Sequence, residues 1–100
     1  MKGEKDRSAL MDQFFRAVLS LRDEEECRAF FTDVCTIKEL HDLVNRLEVA
    51  RLLDEGAVFQ EISRVTGASS ATISRVNRCL VYGEGGYRTV LDRTVKREEV

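Results

Sequence analysis

One hundred residues, 43% hydrophobic and 34% charged, bound the chain to a single domain with one modest core. With no Pro and six Gly, it lacks the turn density of a sandwich or barrel and reads as all-α. A net charge of −2 excludes a histone-like coating of nucleic acid driven by bulk charge.

Residues 1–7 are charged and are expected to form a flexible N-terminus. From Ser8, a plausible cap, the stripe Leu10, Phe14, Val18 and Leu21 predicts a first helix, with Met11 and Phe15 widening its apolar face. Asp23 followed by Glu26 has the form of an N-cap with its capping-box acid, opening a second helix whose buried face is Cys27, Phe30, Phe31 and Val34. Thr36 with Glu39 repeats the signal. The third helix it opens runs to about Glu55, with Ile37, Leu40, Val44 and Leu47 as the main stripe and Leu43, Ala50 and Leu53 beside it. Apolar residues on more than one face of this helix, and the same width in the first two, imply packing against a second copy of the chain. The bland reading is that Leu43 and Val49 are isolated exposed residues.

Gly56 ends the third helix, and residues 58–81 follow as a helix-turn-helix pattern. Ile62 points inward from the first motif helix, and Ser63 is small enough for two helices to cross closely. Gly67 supplies the positive φ that a tight turn wants. Ser69 or Ser70 caps the second helix, whose apolar stripe is Ile73, Val76 and Leu80. Its opposite stripe carries Ala71, Ser74, Arg75 and Arg78. Small residues and arginines on one exposed face suit a helix lying in a major groove, where bulk blocks approach and guanidinium groups bond guanine edges or phosphates.

Charge is segregated along the chain. Residues 1–56 hold 13 acidic and 9 basic side chains, whereas residues 57–100 hold 5 acidic and 7 basic. The surplus in the motif half is small, so binding calls for a dimer or for help from Arg88, Arg93, Lys96 and Arg97. The Gly-rich stretch Gly83–Tyr87 lacks the form of a phosphate loop and reads as a turn. Val90, Leu91 and Val95 mark a last short helix within a domain spanning residues 8–95, and residues 96–100 are expected to be flexible.

Cys27, Cys35 and Cys79 are odd in number and follow no zinc-like spacing, so they read as reduced, mostly buried thiols of a cytoplasmic protein. His41 reads as a surface residue rather than a ligand. No metal or cofactor is expected. No apolar run reaches about 18 residues and no signal peptide is evident, so no membrane role is expected. Catalysis needs a positioned acid, base or nucleophile in a cleft, and no such set can be assembled, so an enzyme is not expected. The competing reading is a helix-turn-helix used for protein contact without specific DNA binding.

The segment Ala71-Thr72-Ile73-Ser74-Arg75, preceded by Gly67-Ala68, resembles the recognition helix of the Trp repressor family, and the likeness covers about residues 10–95. The resemblance implies a six-helix, intertwined homodimer that binds double-stranded DNA as a transcriptional repressor. It places Ser70, Ala71 and Ser74 opposite the bases, with Ser69 beside them at the cap. Gln60 reaches the groove and Thr72 contacts a phosphate. It also implies an effector pocket. Arg75 matches the arginine that holds the tryptophan carboxylate in that family, and Arg46 the second pocket arginine, or Asn45 under a one-residue shift. Two positions depart from the pattern. Val76 stands where the repressor has Gly, and Cys79 where it has Ser. Val76 fills the space an indole needs, so L-tryptophan is not the expected effector.

Overall fold

A computed structural model describes residues 4–99, and the side chains of residues 6–94. Its elements are six α-helices: α1 Glu4–Leu19, α2 Glu24–Val34, α3 Ile37–Asp54, α4 Phe59–Thr66, α5 Ser70–Tyr82 and α6 Gly86–Glu99. No strand occurs among the described residues. The chain divides between Leu40 and His41 into two compact units.

Local signals set the helix starts in the first unit. The Asp23 carboxylate accepts from the Glu26 amide at 2.8 Å, and Glu26 accepts from the Arg22 amide at 2.9 Å. Thr36 and Glu39 form a reciprocal box, with bonds of 3.0 and 2.8 Å. Each carboxylate satisfies an amide that the first turn leaves without an intrahelical partner. The ring of Phe14 in α1 meets that of Phe30 in α2 at a centroid separation of 6.0 Å.

Among its described residues, the first unit nevertheless has no buried side chain. The predicted buried face of α2 is not enclosed: Cys27 and Val34 are exposed, while Phe30 and Phe31 are half-buried. Leu10, Met11, Phe14, Phe15 and Leu19 of α1 are exposed, Leu19 by 82%. The helix also starts at Glu4 rather than at Ser8, because residues 4–7 contain neither Gly nor Pro to break it. Residues 1–3 and 100 lie outside the described residues.

The second unit holds the core, formed by Val49, Ala50, Ile62, Ala68, Ile73, Val76 and Leu91. In α3 the buried pair is Val49 and Ala50, while of the predicted main stripe Leu40 is half-buried and Ile37, Val44 and Leu47 stay exposed. Periodicity identifies an apolar face but not what it meets. α5 packs on both α4 and α6. Leu91 drives α6 into the core, and Arg88 pairs with Asp54 at the end of α3 and with Asp92 one turn on. α6 starts at Gly86, earlier than its apolar residues suggest.

The cysteines correct a further expectation: Cys27 and Cys79 are exposed and Cys35 is intermediate, so none of the three is enclosed by its own unit's described residues.

Candidate nucleic-acid interface

α4 and α5 are held together by three buried apolar side chains and a hydrogen-bonded turn. Ile62 is fully buried against Ile73 and Val76, which fixes the inward faces of both helices. Gly67 ends α4 at φ 75°, and its amide returns to the Ser63 carbonyl at 2.8 Å. No other atom lies within 4 Å of where its Cβ would stand, so conformation alone selects glycine.

Side chains complete the turn. The Ser63 hydroxyl donates to the Ala68 carbonyl at 3.0 Å. The Thr66 hydroxyl donates to the Ile62 carbonyl at 2.7 Å and accepts from the Ala68 amide at 3.1 Å. Two of these bonds satisfy the amide and carbonyl of Ala68, which lies between the helices and has no ladder partner there. Sequence reasoning gave Ser63 a steric role and missed the polar one. The signal was present, since a hydroxyl three to four residues before a helix end finds backbone acceptors in reach.

Ser69 is the N-cap of α5, accepting from the Thr72 amide at 3.1 Å, and its hydroxyl donates to Thr72 Oγ1 at 3.1 Å. Its proton is therefore committed within the cap. Thr72, which accepts that proton, keeps its own for an outside acceptor.

The remaining candidate residues fall on the outside. Ser70, Ala71, Ser74, Arg75 and Arg78 are all exposed on α5, opposite buried Ile73 and Val76, and Thr72 is intermediate. Gln60 is exposed in the first turn of α4. Among the described residues Arg75 and Arg78 form no ion pair, whereas Arg51, Arg64 and Arg88 in the same unit are each held by carboxylates. The Arg88 guanidinium, with its pKa pushed up chiefly by its bonds to Asp54, is bound to its own protein. It does not join the motif as the charge pattern suggested.

The effector-pocket candidates are only partly brought together. Cys79 lines an open, largely apolar cavity of about 550 Å³ with Leu47, Gly83, Gly86, Tyr87 and Val90. Burial pushes the Tyr87 phenol above its ordinary pKa, as does Cys79, while the positive fields of Arg46 and Arg75 oppose the shift. Those arginines thus lie within electrostatic reach of Tyr87, which the sequence reading did not single out. Val76 does not line the cavity, since it is buried in the core with Ile62 and Ile73.

Among the described residues no helix is long and apolar enough to cross a membrane, and no group of three metal-ligating side chains gathers.

A family model described as Trp repressor protein matches residues 9–95. The Bacillus subtilis (strain 168) protein YerC, itself uncharacterized, is 52% identical over 98 residues, covering 98% of this chain and 94% of that one. The crystal structure of a TrpR like protein from Eubacterium eligens ATCC 27750 superimposes with a TM-score of 0.81 at 50% identity, over 85% of this chain and 88% of that chain. A Staphylococcus aureus crystal structure does so with a TM-score of 0.82 at 45% identity, over 93% of both chains.

Proposed function

The chain belongs to the Trp repressor family, and we propose from that premise that it is a sequence-specific, DNA-binding transcriptional repressor acting as a homodimer in the cytoplasm. The observation that carries the reading is the outer stripe of α5. Ala71, Ser74, Arg75 and Arg78 are exposed, the two arginines have no carboxylate partner among the described residues, and the opposite stripe is locked into the core. A helix built this way enters a major groove at its small N-terminal residues. Ser70, Ala71 and Ser74 admit close approach, Arg75 and Arg78 reach guanine edges or phosphates, and Thr72 donates to a phosphate.

Association follows from area and charge. The exposed Leu10, Met11, Phe15, Leu19, Ile37 and Val44 are more apolar surface than a soluble monomer normally leaves open. One motif also brings too few free cations for tight binding, and two copies double that number. Two recognition helices then address successive major grooves about 34 Å apart on a near-palindromic site. With about six to eight phosphates contacted, log affinity falls against log salt with a slope of about −5 to −7.

L-tryptophan is not the effector in this reading. Val76, a β-branched residue anchored in the core, stands where the family's repressor leaves room for an indole, and Cys79 replaces a hydroxyl. Micromolar tryptophan binding by calorimetry would overturn this point.

The experiment that tests the reading is selection of fragments from the source genome by wild type and by the Arg75→Ala/Arg78→Ala variant. Recovery of a two-fold symmetric site by wild type alone is expected. Recovery of nothing by wild type sinks the DNA reading.

A further inference from the structure

Tyr82 is the most exposed of the large apolar side chains, at 84%, and it ends α5. At about 100° per residue it lies some 20° around the helix from Ala71, so it continues the stripe of Ala71, Ser74, Arg75 and Arg78 by one more turn. Tyr82 makes no hydrogen bond among the described residues. We propose that Tyr82 is a further DNA contact, its phenol donating a hydrogen bond to a backbone phosphate at the rim of the major groove. This inference rests on the DNA-binding reading above.

Three features carry it. Side-chain size along the stripe grows from Ser70 and Ala71 through Ser74 to Arg75, Arg78 and Tyr82, so the helix tapers toward the end that enters the groove. From Ser70 to Tyr82 the axis advances about 18 Å at 1.5 Å per residue. A major groove is about 12 Å wide and 8.5 Å deep. The last turn of α5 is therefore too far along the axis for base edges and falls at the level of the flanking phosphates. Finally, helical side chains lean toward the N-terminus, so the ring covers the turn that holds Arg78, on the side where the DNA lies.

A second copy of the chain is the weaker occupant. Tyr82 shares its stripe with two arginines, Arg75 and Arg78, that have no carboxylate partner among the described residues, so a second copy docking through the same face would bring like charges together. The apolar neighbour Val81 points about 100° away from it around the helix.

The role has a signature that separates it from the arginines. A phenol is a neutral donor and displaces no counterion, so its loss lowers affinity without altering the salt slope. Loss of Arg78 reduces the slope by about 0.9 per contact.

The test compares wild type, Tyr82→Phe and Arg78→Ala on two short duplexes, one with the selected site and one with shuffled sequence, across a salt series. Mass is measured alongside by light scattering. Tyr82→Phe is expected to bind both duplexes about threefold to tenfold more weakly, as loss of one hydrogen bond implies, with slope and mass unchanged. Wild-type affinity in Tyr82→Phe overturns the proposal. A loss confined to the selected site also overturns it, because that marks base readout. So does a fall in mass, which places Tyr82 between copies. If wild type itself binds neither duplex, the DNA reading fails and the proposal with it, an outcome distinct from a silent Tyr82→Phe.

Discussion

The hydroxyl of Ser63 in α4 donates to the carbonyl of Ala68, just before α5, at 3.0 Å. One side chain thus spans the turn of the helix-turn-helix. Ser63→Ala leaves that carbonyl without its partner while preserving the small volume that lets the helices cross. A loss of about 0.5–1.5 kcal/mol is expected from urea unfolding, with no change in m-value.

Ser69→Ala removes the α5 cap and with it the donor that orients Thr72. The expected loss of stability is about 1 kcal/mol. Ser69→Asp restores the acceptor for the Thr72 amide and with it most of the stability, but in the proposed DNA complex it would set a negative charge beside the phosphates. Its DNA affinity should therefore fall below that of Ser69→Ala, and filter binding at low salt reads the difference.

Two glycines fail for different reasons when replaced by alanine. At Gly67 there is open space around the missing Cβ, and the cost is that of holding an L-residue at φ 75°, about 1–2 kcal/mol. At Gly83 a Cβ would lie 2.3 Å from the Cys79 carbonyl oxygen, so the backbone after α5 must move. Gly67→Asn, which tolerates the left-handed region, should recover part of the loss at Gly67, while Gly83→Asn should be no better than alanine. Thermal midpoints of the four variants decide it.

The turn and the caps were legible in the sequence because their causes are local. Gly67, Ser69, Asp23 with Glu26 and Thr36 with Glu39 act within a few residues of themselves, and each performs the role its type and spacing imply. Ile62, Ile73 and Val76 were legible for the same reason. Burial in α2 and α3 was not. Val44 and Leu47 share a stripe as regular as that of Val49, and only the neighbours decide which one is covered. The partnership of Arg88 with Asp54 spans 34 residues and leaves no mark in local pattern.

Arg51 bonds Glu48 at 2.6 Å, and this pairing holds the Glu48 carboxyl below its ordinary value of 4.5. A depressed carboxylate contributes stability above its unfolded pKa and loses it as pH falls through the folded one. Wild type should therefore exceed Glu48→Gln by at most about 1 kcal/mol at neutral pH, since the pair is more than one-third exposed. The difference should begin to shrink as pH drops through 4.5 and vanish below the folded value. Urea unfolding from pH 7 downward measures it.

The core draws on residues 49–91, and α1 and α2 hold no buried side chain among their described residues. In amide exchange on dilute chain, the slowest protons should therefore come from α4, α5 and the last turns of α3, with α1 and α2 exchanging through far smaller openings. Raising the concentration should slow the early helices first and leave the motif amides nearly where they were. A fluorescence probe on α1 and one on α5 would then report two different melting temperatures for one chain, and these would converge only as copies associate.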